Sequence, residues 1–254
     1  FLPGQGQYTD DVVRPGETRA VFVRSPHAHA KIKSIDTAEA EKMPGVVAVL
    51  TGAQLTNDKI GNLICGWMIH SKDGTPMKMA PHPALASGKV NHVGDAVAVV
   101  IAETKAQGRD AAEKVKVDYE VLPAVADPAK AQDKGAPQIH ADIANNTIYQ
   151  WHLGDQKATA DAFKNAKHVT KLDIVNNRLV PNAIEPRVAL AEYDAGTDGL
   201  TLWNTSQNPH VARLVIAAFV GMAPEHKLRV IAPDVGGGFG SKIFIYPEEV
   251  VCLW

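Results

Sequence analysis

The chain has 254 residues, 45% hydrophobic and 21% charged, with a formal net charge of -2 at pH 7. That length suits one large or two ordinary globular domains, and the absence of a basic run or aromatic–arginine interleaving excludes a nucleic-acid partner. The longest apolar run, 214–223, is broken by Gly221 and too short for a membrane span, and Cys65 and Cys252 match no metal spacing, which fits reduced thiols in a cytoplasmic protein.

The N-terminal residues Phe1, Leu2, Pro3 and Gly4 form neither a start methionine nor a signal peptide. Strands are expected over 20–24 and 30–36, joined by a turn that holds His27 and His29. Thr37 caps a short helix through Lys42, which Pro44 and Gly45 end before a strand over 46–50. A helical turn follows over 51–55, then a loop-rich stretch over 56–92. Residues 96–102 predict a buried strand, 104–114 a helix with Ala106, Ala111 and Ala112 facing inward, and 115–121 a strand ended by Pro123. This pattern describes an α/β domain over 1–126 with local β-α-β units. Residues 127–146, polar and rich in small residues, are expected to link it to a second unit over 147–254. There the pattern predicts strands over 148–153, 168–175, 188–193, 200–203 and 228–232, with helices over 155–167 and 209–220. The last residues, 249–254, stop inside an apolar helical run, so both ends are expected to be cuts in a longer polypeptide.

The most informative stretch follows the 228–232 strand: Asp234, Val235, Gly236, Gly237, Gly238, Phe239, Gly240, Ser241, Lys242. Its glycines permit positive φ and bring bare backbone N–H groups against a ligand. Pro247, Glu248 and Glu249 then suit the start of a helix. A tight strand-to-helix turn is the plain alternative, but one or two glycines would serve it, and Phe239 inside the run needs a packing reason. The ligand is not a nucleotide of either common motif. Ser241 and Lys242 stand in the wrong order for a Walker loop, and the third position of a dinucleotide fingerprint falls on Ser241 or Ile243.

Two further clusters compete for function. Thr205, Ser206, Gln207, Asn208, Pro209 and His210 sit at a strand-to-helix junction, where Asn208 before Pro209 makes a good N-cap. Capping does not require Gln207, whose amide could face a ligand. His27, His29, His70, His82 and His92 lack a carboxylate or cysteine at ligand spacing and are expected to be surface loop histidines. Serine-hydrolase, zinc-hydrolase and calcium-loop signatures are absent.

Residues 28–36, 43–46, 93–98 and 117–123, in that order, resemble the α/β-hammerhead domain of the xanthine dehydrogenase/aldehyde oxidase (molybdenum hydroxylase) large subunit. Asn182, Glu185, Pro186 and Arg187, then 205–208 and 236–240, resemble the opening of that family's molybdenum-cofactor domain. The branch it is most similar to is the bacterial aerobic carbon monoxide dehydrogenase large subunit, form II lineage. The fold class implied is α/β (α+β), a hammerhead followed by the first part of the molybdopterin-binding domain.

The resemblance also implies chemistry. Gln207 matches the glutamine that donates to the apical oxo group of molybdenum, and Gly237, Gly238, Phe239 and Gly240 match the loop against the metal's oxygen ligands and the pterin. No residue here would ligate the metal directly or act as the catalytic base, since the general-base glutamate lies downstream. Glu185 matches a family position and is assigned no catalytic role. The implied cofactor is molybdopterin cytosine dinucleotide. Iron–sulfur clusters would sit on a small partner subunit and FAD on a medium one, in a dimer of heterotrimers. The implied reaction hydroxylates an aldehyde or N-heterocycle, or oxidises carbon monoxide, with water as oxygen source. Ile243 stands where purine-oxidising members carry a glutamate, which disfavours a purine. The chain alone is expected to be inactive. The competing reading is a cofactor-free scaffold that keeps the fold.

Overall fold

The computed structural model describes residues 3–254; Phe1 and Leu2, part of the N-terminal reading above, lie outside the described residues. The first half contains β1 (Arg19–Arg24), β2 (Ala30–Asp36), β3 (Val46–Thr51), α1 (Gly52–Asn57), β4 (Lys89–Val90), β5 (Ala96–Ala102), α2 (Lys105–Ala112) and β6 (Lys116–Val121). β5 is apolar throughout and buried on both faces, so it forms the centre of a sheet ordered β1-β5-β3. Val99 pairs with Phe22 on one side and Leu50 on the other. β6 alternates exposed residues with the half-buried Val117 and Tyr119, as a strand with one wet face does, and joins a second sheet ordered β4-β2-β6.

All pairings in these two sheets are antiparallel, which corrects the expectation of local β-α-β units in this half. The strands that α2 connects have different burial patterns and enter different sheets. α2 is capped by Thr104, whose hydroxyl accepts the Gln107 N–H at 3.3 Å. Ala111 is buried under it as expected, but Ala106 is exposed. The close approach falls instead to Gly108, where a Cβ would stand 2.7 Å from Val21 Cγ2. The helix expected after Thr37 is only a 3₁₀ turn at Ala40–Lys42, because Pro44 and Gly45 stop it within a turn.

The second half contains α3 (Gln156–Asn165), β7 (Ala189–Asp194), β8 (Gly199–Asn204), α4 (Pro209–Val215), β9 (Leu228–Ile231) and α5 (Pro247–Leu253). β8 pairs antiparallel with β7 and parallel with β9, so β8-α4-β9 is a β-α-β unit. α4 continues as a π-helical turn, Ile216–Val220, and stops at left-handed Gly221. Two expected strands do not form. Residues 148–150 are tied to a neighbouring loop through Lys72 N–H to Gln150 O (2.8 Å) and Lys78 N–H to Ile148 O (2.9 Å), without a ladder. Residues 168–175 have no strand partner among the described residues.

Residues 127–146 are held by their own polar contacts. The Asn146 amide donates to the carbonyls of Ala131 and Pro137 and accepts from Ile139 N–H. Both halves meet in one core, where Leu55, Leu85 and Val99 pack with Val220, Val250 and Val251. Gly61 N–H donates to Val220 O at 2.7 Å, and Arg24 pairs with Glu248. The N-terminal segment also crosses over: Gln7 N–H donates to Asp234 Oδ2 at 2.9 Å, and Asp234 N–H returns to Gln7 O at 3.0 Å. The start of the glycine loop is thereby pinned from outside its own domain.

Candidate cofactor site at the glycine loop

The site begins where β8 ends. Thr205 is buried and exchanges two hydrogen bonds with Val188, its N–H to Val188 O and Val188 N–H to its Oγ1, both 3.1 Å. Asn208 occupies the N-cap position of α4, yet its side chain makes no capping bond, and its N–H donates to Ser206 Oγ at 3.0 Å. The capping reading of this junction therefore fails for Asn208. Gln207 turns toward the glycine loop. Its backbone N–H donates to Lys242 O at 2.8 Å, and its Oε1 accepts from Gly240 N–H at 3.1 Å and Lys242 N–H at 3.3 Å. Two N–H donors on one oxygen settle which end of the amide is which. The Nε2 group keeps both its hydrogens free of any partner among the described residues.

The glycines of the loop serve different ends. A Cβ on Gly236 would stand 2.5 Å from Glu185 Cβ, and one on Gly238 only 2.4 Å from Gln207 Oε1. These two make room for the chain's own side chains, a narrower task than the ligand clearance expected. Gly237 and Gly240 adopt φ of 95° and 89°, and no atom lies within 4 Å of where a Gly240 Cβ would be. Phe239, between them, has φ 51° and is 76% exposed. Its ring folds back over Gly237, where a Cβ would stand 3.0 Å from Phe239 Cε2 and 3.3 Å from Ala183 Cβ, and the rest of it faces outward. Left-handed backbone at a bulky residue is strained and persists where its surroundings impose it.

The loop is closed behind these groups. Ser241 donates to Gly238 O through both N–H and Oγ at 2.8 Å, and the Tyr246 hydroxyl donates to Ser241 O at 2.5 Å. Arg187 lies over the Tyr246 ring at 3.5 Å. Lys242 and Glu185 form a buried ion pair at 3.0 Å. Spacing pointed to neither member, since Lys242 followed the loop in an order that fits no nucleotide motif, and Glu185 lies 57 residues away. Glu249 is buried beneath the loop, its carboxylate accepting Tyr246 N–H at 3.1 Å, and desolvation pushes its pKa up to about 7.

The histidines divide. His29 is buried, with Nδ1 2.7 Å from Pro123 O, so it is not the surface residue expected. Among the described residues no group of three or more His, Cys, Asp or Glu could hold a metal ion. No helix of the described residues is long and apolar enough to cross a membrane.

A small open sheet whose β-α-β unit delivers a glycine loop beside a fixed amide donor defines an α/β ligand-binding domain, here joined to an antiparallel two-sheet domain. Residues 3–123 match the family "aldehyde oxidase and xanthine dehydrogenase, a/b hammerhead domain", and residues 139–254 match "molybdopterin cofactor-binding domain". The chain belongs to the xanthine dehydrogenase/aldehyde oxidase family, as an N-terminal portion of its molybdopterin-binding large subunit.

Similar proteins include the carbon monoxide dehydrogenase large chain of Afipia carboxidovorans, 39% identical over all of this chain and 31% of that protein. The nicotine 6-hydroxylase large subunit of Paenarthrobacter nicotinovorans is 35% identical over 99% of this chain and 30% of its own length. Among solved structures, quinoline 2-oxidoreductase from Pseudomonas putida 86 superposes with a TM-score of 0.89 at 35% identity, over 98% of this chain and 31% of that one. The chain thus spans about a third of the length of the relatives it matches.

Proposed function

We propose that this chain opens the molybdenum–pterin site of a molybdenum hydroxylase, with Gln207, Gly237, Gly238, Phe239 and Gly240 as its cofactor contacts. One observation carries the reading: Gln207 spends its carbonyl oxygen on Gly240 N–H and Lys242 N–H and keeps its NH₂ free to donate. The open side of Gly240 and exposed Phe239 fit a group seated beside them. When bound, the molybdenum–pterin supplies the redox and oxygen-transfer chemistry. This chain's residues contribute position: Gln207 presents a donor to an oxygen ligand, and the loop brings backbone against the cofactor without side chains between.

The finer form of the proposal is molybdopterin cytosine dinucleotide, a small iron–sulfur subunit, a medium FAD subunit, a dimer of heterotrimers and a cytoplasmic setting. Domain limits of 1–126 and 147–254, with 127–146 between, belong to it as well. The substrate is a small aldehyde or N-heterocycle, or carbon monoxide; the similar proteins named for nicotine, quinoline and carbon monoxide support that range. The general base is supplied from outside this chain. The test is Gln207→Ala in the complete enzyme, expected to lower turnover about ten- to a hundredfold, as loss of a hydrogen-bond partner around a metal centre does. Unchanged rate and unchanged molybdenum content would overturn the assignment.

A further inference from the structure

We propose that Glu185 and Lys242 form a clamp across the neck of the glycine loop, holding the shape in which Gln207 and Gly240 face the cofactor. The cofactor part of this rests on the reading above. Lys242 is one of the chain's most deeply buried charges, its side chain 1% exposed against 10% for Glu185. Its Nζ reaches two acceptors on one residue, Glu185 Oε2 at 3.0 Å and Glu185 O at 2.9 Å. The same Oε2 accepts Gly236 N–H at 2.7 Å, and Glu185 N–H returns to Gly236 O at 3.3 Å. Glu185 therefore grips Gly236, the first glycine of the loop, and Lys242, two residues beyond its last.

Stability alone does not account for such a pair. Burying an ammonium and a carboxylate costs desolvation that their attraction repays only when geometry is good, and apolar residues of similar volume would fill the space at less cost. Here the carboxylate is not fully satisfied, since Glu185 Oε1 is buried without a partner. What the pair supplies is a fixed spacing between the loop's ends. Lys242 links this clamp to the proposed ligand face, because its backbone N–H is one of the two donors that orient the Gln207 amide. If Lys242 moves, the direction of Gln207 Nε2 moves with it. Glu185 and Lys242 are thus positioning residues, which act through Gln207 and Gly240.

The test compares wild type, Glu185→Gln and the double variant Glu185→Gln with Lys242→Met in the complete enzyme. It reads melting temperature, amide hydrogen exchange over 236–242 and pterin content. Glu185→Gln strands a buried ammonium and is expected to lower the melting temperature by roughly 10 °C. The double variant removes both charges and recovers most of that loss. Its amides over 236–242 nonetheless exchange at least about tenfold faster than wild type, because the Lys242 anchor is gone. Its pterin content falls with them. Wild-type exchange over 236–242 in the double variant would overturn the clamp and leave a stability element. Faster exchange with full pterin content would overturn its role in cofactor retention. Wild-type enzyme without pterin would instead refute the cofactor reading, while the exchange comparison still decides the clamp.

Discussion

β5 and residues 168–175 are both apolar-rich stretches with the look of strands, and they meet opposite fates. β5 has a partner on each side and α2 above, so its backbone groups are paired and nearly all its side chains buried. Residues 168–175 have no ladder among the described residues, and Leu172 and Ile174 in that stretch, like Leu179 beyond it, face solvent. A strand is a property of a pairing, because an extended segment must spend its N–H and C=O groups on neighbours. α3 makes the same point from the helical side. Its hydrogen bonds are internal and Asp155 caps it through Ala158 N–H at 2.8 Å, so it forms although no face of it is buried.

The contrast can be broken by mutation. Leu85, fully buried where the two halves meet, should cost about 2–5 kcal/mol when changed to alanine, read as a lower urea midpoint. A loss below about 1 kcal/mol would mean that the shared core is not cooperative. A pH experiment sharpens the comparison on the buried side. Glu249 has its pKa raised from 4.5 to about 7 by burial, so folding takes up a proton between those values. Its stabilising contribution is complete below pH 4.5 and is lost as pH rises through about 7. Glu249→Gln should therefore raise stability at pH 8 by about 1–3 kcal/mol and change it little at pH 5, measured as urea midpoints. An equal gain at both pH values would refute the burial account. The smallest effect is expected in the exposed region: Leu179→Ser should stay within about 0.5 kcal/mol of wild type, since Leu179 is 87% exposed. A large loss there would show that the segment is covered in the folded protein.

Much of the fold was legible in the chain. Residues 30–36 and 96–102 are strands at the expected limits, the helices expected from 104 and 155 begin there, just after Thr104 and Asp155, and the glycine loop lies between a strand and a helix opened by Pro247. Each of these depends on neighbours in sequence: period, capping residues, turn chemistry. The pairing order β1-β5-β3 was not legible, since the strand that joins β1 and β3 comes after both. Gln207 was picked out by its surplus over what a cap needs, but its aim was not, because the amide is oriented by Gly240 and Lys242, 33 and 35 residues on.

The sequence by itself determined which segments could be helix, strand or loop and where backbone would be bare, because those preferences are set within a few residues. Only the tertiary structure decided that Glu185 and Lys242 would meet, that two of the glycines yield to the chain's own side chains, and that Gln207 would keep its NH₂ free. Those outcomes require closure between distant segments, and a contact of that kind exists only once the sheets between them have formed.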